Sequence, residues 1–363
     1  MKQHKVIISG GGTGGHIFPA LAIGSALKQR YADMQLLFVG AIGKMEMQQV
    51  PKAGFPIRGL WIDGFQRSFA LRNLLFPLKL IVSLIQSTFI LLHLRPQVVV
   101  GTGGFASGAL LKVAQWMGYP TLIQEQNSFP GITNKLLGHK AYTICVGFES
   151  MENFFPKEKI VFTGNPVRQQ ISEAGLSSTA AKSHFNLNPK KKVLAILGGS
   201  LGAKAINELI AFKQKFIEAS GFQILWQCGK LYYEQYAHLA SATIVIKPFV
   251  SNMNAFYAAA DMLIARAGAG TIAELCCVAK PVILIPSPNV TANHQVKNAE
   301  ALVGQKAAVM IEEKNLDTDF EIIFTSLNEN QNQQHEMHTQ LTALAKPEAT
   351  AQIVDEIEKM MRL

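Results

Sequence analysis

The sequence predicts an α/β protein built from two doubly wound, Rossmann-like domains facing each other across a cleft. Three observations carry that expectation. Short apolar, strand-like runs alternate with helical-period or loop segments, glycine-rich turns follow three of those runs, and the strand–glycine turn–helix opening recurs near residue 192. A chain of 363 residues is long enough for two domains of ordinary size.

In chain order, residues 6–8, 36–39, 98–100, 121–123 and 143–146 read as strands of an open parallel sheet with helices on both faces. After "TGNPVR" (163–168) the chain turns polar. A second series follows at 194–197, 224–226, 243–246, 262–265 and 282–285. The polar run 328–340 reads as surface helix or loop, and 349–363 as an amphipathic terminal helix.

Hydrophobic residues make up 48% and charged residues 16%, so either the core is large or some apolar surface meets lipid. The balance of 34 Lys and Arg against 25 Asp and Glu favours anionic partners such as phosphates or acidic lipids. Nucleic acid is not expected, because metal-finger spacing, aromatic-basic sheet motifs and basic runs beyond 190–192 are missing from the sequence. Cys145, Cys228, Cys276 and Cys277 lie in apolar runs without CxxC spacing, as buried thiols in a reducing compartment would. The N-terminus lacks the apolar core of a signal peptide, and no export is expected.

The first glycine loop, residues 10–15, satisfies G-x-G-x-x-G between a strand and a helix, a geometry that aims backbone N–H groups at a phosphate. A dehydrogenase would place an acid at the end of the second strand, but that strand ends Val39-Gly40-Ala41. The Lys and Ser/Thr of a P-loop are also missing. "GTGGFASGA" (101–109) and "GGSLGA" (198–203) follow strands in the same way. A single such loop is as readily a close-packing turn as a ligand cradle. Three of them at carboxyl ends of strands point to the ligand edge of two α/β sheets.

"GGTGGHIFPALAI", "GTGGFASG", "EQNSFPGITNKLL", "TGNPVR", "GGSLGA" and "ARAGAGTIAELCCVAKPVILIPSP" with "NHQ" occur in the order expected of the MurG family, which the chain resembles from residue 5 to about 310. Ala109, where many relatives carry Pro, and the flanks of "NHQ" depart from that pattern. The resemblance implies a GT-B fold, with an acceptor- and membrane-binding domain at 1–165, joined by a C-terminal helix at 346–363. A UDP-sugar-binding domain would occupy 166–345. It implies inverting transfer of N-acetylglucosamine from UDP-N-acetylglucosamine to lipid I, the undecaprenyl-diphosphate-linked muramyl peptide, giving lipid II at the cytoplasmic face of the inner membrane. No cofactor and no resident metal are implied. A different GT-B enzyme, such as a glycolipid transferase or UDP-sugar epimerase, would share the nucleotide half but differ in the first loop. A nucleotide-sugar sensor would need the glycine loops but not His16.

His16 reads either as a structural histidine or, beside ligand-facing glycines, as a base for the attacking hydroxyl. The resemblance favours the base and puts Thr13, Gly14 and Gly15 near the transferred sugar. Glu125 ranks second as base. Asn127 is either a helix cap or, by resemblance, a donor-sugar ligand. Arg168 is either a solvated charge or a group reaching the nucleotide-sugar, and Ser200 with its neighbouring amides suits the diphosphate. Thr271 to Glu274 fits a T-x-x-E capping box, whereas the resemblance makes Glu274 the ribose ligand behind Ala269, Gly270 and Thr271. Gln295 and the Val250 backbone are either ordinary buried and loop positions or sugar and uracil contacts. Gly103, Gly104 and Ser107 form the acceptor-side loop.

Residues 71–96 invite a transmembrane reading, yet only fifteen residues separate Lys79 from Arg95, short of the about 20 a span needs. Lys79, Ser83, Gln86 and Ser87 recur as one polar helical stripe, so a partly buried amphipathic helix is expected instead. Leu74, Leu75, Phe76 and Leu78, flanked by Arg67, Arg72 and Lys79, are the residues expected on an anionic membrane surface.

Overall fold

The computed structural model describes residues 4–64, 75–167, 176–199, 201–288 and 293–362. The chain divides into two compact units, Met1–Val167 with Lys346–Leu363, and Arg168–Ala345.

The first unit holds β1 (Lys5–Ser9), α1 (Gly14–Arg30), β2 (Gln35–Ala41), α2 (Glu46–Lys52), β3 (Ile57–Leu60), α3 (Phe76–Leu94), β4 (Val98–Gly101), α4 (Phe105–Trp116), β5 (Thr121–Glu125), α5 (Ile132–Gly138), β6 (Thr143–Val146) and β7 (Ile160–Phe162). Its strands form one parallel sheet in the order β3-β2-β1-β4-β5-β6-β7. The central strands are buried on both faces, which is why they read as unbroken apolar runs. One face packs Ile8, Val100 and Leu122 against Ile23 and Leu27 of α1 and the C-terminal residues Ile353 and Ile357. The other packs Val99 and Ile123 against Leu91 and Leu94 of α3, Leu110 and Leu111 of α4, and Leu137 of α5. The strand order reverses between β1 and β4, so the loops after these two strands open side by side.

The second unit runs α6 (Ser178–His184), β8 (Lys192–Leu197), α7 (Lys204–Ala219), β9 (Phe222–Gln227), α8 (Tyr233–Tyr236), β10 (Ile244–Lys247), α9 (Met253–Ala259), β11 (Met262–Ala265), α10 (Ala269–Val278), β12 (Val282–Leu284), α11 (His294–Val303), β13 (Val309–Met310), α12 (Leu316–Glu329) and α13 (Gln331–Leu344). Its parallel sheet is ordered β10-β9-β8-β11-β12-β13, with the reversal between β8 and β11. The polar run near 330 is the helix α13, capped by Asn330 and anchored by buried Met337 and Leu341. The chain then returns to the first unit as α14 (Ala349–Met361), where Glu358 pairs with Arg30 of α1 at 2.9 Å.

Helix α3 carries the expected polar stripe on its inner side. Ser83 and Ser87 are buried, and their hydroxyls donate to the Leu80 and Ser83 carbonyls at 2.7 Å, so their polarity is satisfied within the helix. Small residues on the inner face let α3 lie close to α4. The large apolar side chains Leu78, Ile81, Ile85, Phe89 and Leu92 point outward, Phe89 being 68% exposed. Lys79 is paired with Asp63 and lies 5.6 Å from the Trp61 ring centre, so its charge is already engaged. Arg67, Arg72 and Leu74 lie outside the described residues.

Candidate active site

In the first unit the two loops at the strand reversal are bonded to each other. The Thr102 N–H donates to the Ser9 carbonyl at 2.9 Å, and the Gly11 N–H to the Gly103 carbonyl at 3.2 Å. The Thr102 hydroxyl donates to the His16 carbonyl at 2.8 Å. Gly104 has φ +92°, and a Cβ there would overlap the Gly11 carbonyl oxygen, so both the conformation and the close approach require glycine. Buried Glu46 braces the rim by accepting from the Gly12 N–H at 3.0 Å and the Ala41 N–H at 2.9 Å. Thr13, with extended backbone, begins α1, leaving Gly12, Thr13 and Gly15 exposed at the positive end of a 17-residue helix. Half-buried His16 lies in that first turn, with Nδ1 at 3.2 Å from Gln126 Oε1.

Glu125 is not placed to accept a substrate proton. It is 1% exposed, and its oxygens accept from the Asn127 N–H (2.9 Å), Asn127 Nδ2 (3.2 Å), Gly131 N–H (3.1 Å) and Asn134 Nδ2 (2.9 Å). The carboxylate ties down the 126–131 loop, whereas His16 stands half-buried beside the glycine cradle. Asn127 is half-buried and is not a helix cap, since α5 starts after Gly131. Ser107 is a second correction. Its side chain is fully buried, and a Cβ on Gly101 would come within 2.6 Å of Oγ, so it packs inward and does not present itself at the acceptor-side loop.

In the second unit a cavity of about 450 Å³ opens where β8, β11 and β12 end, lined by Gly198, Lys204, Arg266, Ser287, Gln295 and Glu313. Helices α7 and α10 both begin at this edge and point their positive ends toward it. Gln295 Oε1 accepts the Ser287 N–H at 2.9 Å, tying the first turn of α11 to Ser287. The Arg266 guanidinium pairs with Glu313 and donates to the Ile285 carbonyl at 3.0 Å. Reading the sequence missed Arg266 and Glu313. An arginine directly after a strand and before "AGAG" was the available signal for the first, and the second had none.

The capping-box alternative for Glu274 does not hold. Helix α10 starts at Ala269 with Gly268 as its cap, which puts Gly270 and Thr271 in the first turn and Glu274 in the second. Glu274 is buried and accepts the Tyr257 hydroxyl at 2.8 Å. The Val250 N–H is bonded to Gln227 Oε1 at 2.8 Å, so a base contact through this residue falls to its carbonyl. Arg168 and Ser200 lie outside the described residues. Cys145 and Cys276 are buried, and burial pushes both thiols up, Cys276 to about 12, which makes them inert packing groups.

The glycosyltransferase family 28 N-terminal domain matches residues 6–146, and the family 28 C-terminal domain matches 193–354. A relative from Flavobacterium psychrophilum is 51% identical over 99% of both chains. It carries the name UDP-N-acetylglucosamine–N-acetylmuramyl-(pentapeptide) pyrophosphoryl-undecaprenol N-acetylglucosamine transferase. A relative of the same name from Cytophaga hutchinsonii is 47% identical over 98% of this chain and 96% of its own. The crystal structure of Acinetobacter baumannii MurG matches with a TM-score of 0.78 at 30% identity, covering 98% of this chain and 99% of that one. The calicheamicin glycosyltransferase CalG4, at 14% identity and TM-score 0.72 over 99% of each chain, shares the fold alone. With both family domains matched in order and near-full-length relatives at half identity, the chain has a GT-B fold and belongs to the MurG branch of glycosyltransferase family 28.

Proposed function

We infer that the chain transfers N-acetylglucosamine from UDP-N-acetylglucosamine to the 4-hydroxyl of the muramyl sugar of lipid I, producing lipid II for peptidoglycan synthesis. The 51% identity over 99% of a relative bearing that activity in its name carries this reading.

The chemistry is one displacement. The acceptor oxygen attacks the anomeric carbon, His16 takes its proton, and the bond from that carbon to the diphosphate oxygen breaks with inversion. UDP leaves with the bonding electrons. The amides at the start of α7, with Ser200 and Arg168, stabilise the departing diphosphate as its charge grows. Glu274, oriented by Tyr257, accepts hydrogen bonds from the ribose hydroxyls, the Val250 carbonyl faces the uracil N–H, and Asn127 and Gln295 hold the sugar. Gly103 and Gly104, at the start of α4, form the acceptor side beside His16. Thr13, Gly14 and Gly15 approach the transferred sugar. Holding both reactants in reactive geometry supplies the entropic part of the acceleration.

The outward face of α3 is the surface that meets the membrane, at the cytoplasmic face of the inner membrane. Trp116 on α4 and Ile132 and Leu136 on α5 are further apolar side chains of this unit that are more than half exposed. Such a face binds a bilayer interface by burying apolar area, and the net charge of +9 adds attraction to anionic lipid.

The direct test is transfer of labelled N-acetylglucosamine from its UDP form to a lipid I analogue, with diacylglycerol as the competing acceptor. Product on the muramyl lipid alone is expected. Product on diacylglycerol alone would overturn the acceptor assignment while sparing the donor half.

A further inference from the structure

We propose that Gln126 is a positioning residue that holds His16 in the tautomer protonated at Nδ1, so that Nε2 is the nitrogen left to accept the substrate proton. The proposal rests on the transfer reading above.

The orientation of the Gln126 amide is set by groups whose polarity is fixed. The carbonyls of Thr102 and Gln124 can only accept, and both receive Gln126 Nε2, at 2.9 and 3.0 Å. Turning the amide over would set its oxygen against these two carbonyl oxygens in a buried site, an arrangement with no donor between them. A second path gives the same orientation. The Gln126 carbonyl accepts Asn165 Nδ2 at 2.8 Å, which turns Asn165 Oδ1 toward Gln124 Nε2 at 2.9 Å. The Gln124 side-chain oxygen is thereby left facing Gln126 Nε2, whose two hydrogens are shared among this oxygen and the Thr102 and Gln124 carbonyls. Gln124, Gln126 and Asn165 are all buried, so water does not compete for these bonds.

With its nitrogen committed, Gln126 offers only Oε1 to the imidazole, 3.2 Å from Nδ1. An acceptor facing Nδ1 requires a proton on Nδ1, and a neutral imidazole then carries its lone pair on Nε2. Gly103 keeps that side of the ring clear, since a Cβ there would stand 2.7 Å from Nδ1. The same network gives "TGNPVR" a role that Arg168 alone did not: its Asn165 supports the orientation from β7's end of the sheet.

The test is nitrogen-15 NMR on the full chain labelled at histidine, at about pH 8.5, two units above the ordinary histidine pKa of about 6.5. His16 is identified among nine histidines by the signal lost in His16→Gln. Long-range proton–nitrogen correlations should show His16 protonated at Nδ1. Protonation at Nε2 in the wild-type chain would overturn the proposal, with no variant needed. In Gln126→Leu with a native-like amide spectrum, His16 should shift toward the Nε2–H form and kcat should fall about 10- to 100-fold. The KM for UDP-N-acetylglucosamine should stay within about twofold. An unchanged tautomer and kcat in that folded variant would also overturn it. Because the tautomer is read without substrate, an Nδ1–H imidazole on a chain that transfers nothing would sink the transfer reading and not the hydrogen-bond assignment.

Discussion

Glu125 and His16 sit at the same sheet edge and do different work because their surroundings differ. The carboxylate has both oxygens committed to the loop that follows it, whereas the imidazole has one nitrogen held and stands half-exposed at the glycine cradle. Glu125→Ala would leave the buried Asn134 amide and two backbone N–H groups without their acceptor. It should therefore cost about 2–4 kcal/mol in denaturant unfolding, at about 1–3 kcal/mol for each stranded buried donor with partial relaxation. A stability loss below about 0.5 kcal/mol would contradict the bracing role. Gly104→Ala meets both a left-handed φ and the Gly11 carbonyl. It should destabilise by about 1–3 kcal/mol and shift the amide signals of the loops after β1 and β4. Glu274 and Tyr257 form the corresponding pair in the second unit, where Glu274 was legible in the sequence as a carboxylate in a familiar motif and Tyr257 was not.

At the scale of elements, α3 shows what periodicity does and does not convey. The spacing of Lys79, Ser83, Gln86 and Ser87 is helical, but period alone does not say which stripe faces the core. Ser83 and Ser87 faced inward because their hydroxyls found partners in their own backbone and their small size allowed close helix packing. The apolar face left outside gives a direct expectation for Phe89→Asp. Binding to vesicles containing acidic lipid should fall about tenfold or more, the loss of burying one phenylalanine side chain, roughly 1.5–3 kcal/mol. Its folding stability should change by less than about 0.5 kcal/mol. Unchanged vesicle binding would remove α3 from the membrane surface. The other diagnostic element is α14. Burial pushes the Glu358 carboxyl up, but hydrogen bonds from Arg30 and Tyr31 outweigh it and hold the group below the ordinary glutamate value. A depressed folded-state pKa stabilises fully above the unfolded value of about 4.3, and this is lost as pH falls through the lower folded value. Thermal melting of wild type should therefore lose more between pH 6 and 3 than that of Glu358→Gln. Equal losses would show that the pair does not contribute.

For the whole molecule, what was legible followed from burial. Strands such as Val98–Gly101, covered on both faces, appear as continuous apolar runs, whereas three of the four edge strands, Ile57–Leu60, Ile160–Phe162 and Val309–Met310, are short and half-exposed and carry no such signal. The glycine loops marked the two strand reversals. Gln126, Thr102 and Asn165 were not legible as a group, because only the order β4-β5-β6-β7 brings them together. The pattern from Thr271 to Glu274 was legible but misleading, since α10 begins two residues earlier at Ala269. The division of labour between the units makes a further expectation. UDP should slow amide exchange at 198–208 and 266–275 and leave 10–16 and 101–105 unchanged; the reverse pattern would exchange the donor and acceptor assignments.

In the proposed reaction His16 takes the acceptor proton, while the nucleotide of the donor is held by residues of the second unit. The most direct measurement is turnover and UDP-N-acetylglucosamine affinity of His16→Ala side by side. Loss of about 10²- to 10⁴-fold in kcat with the donor Kd within about twofold is the expected result. Retained turnover, or a donor affinity that falls by the same factor as turnover, would contradict it.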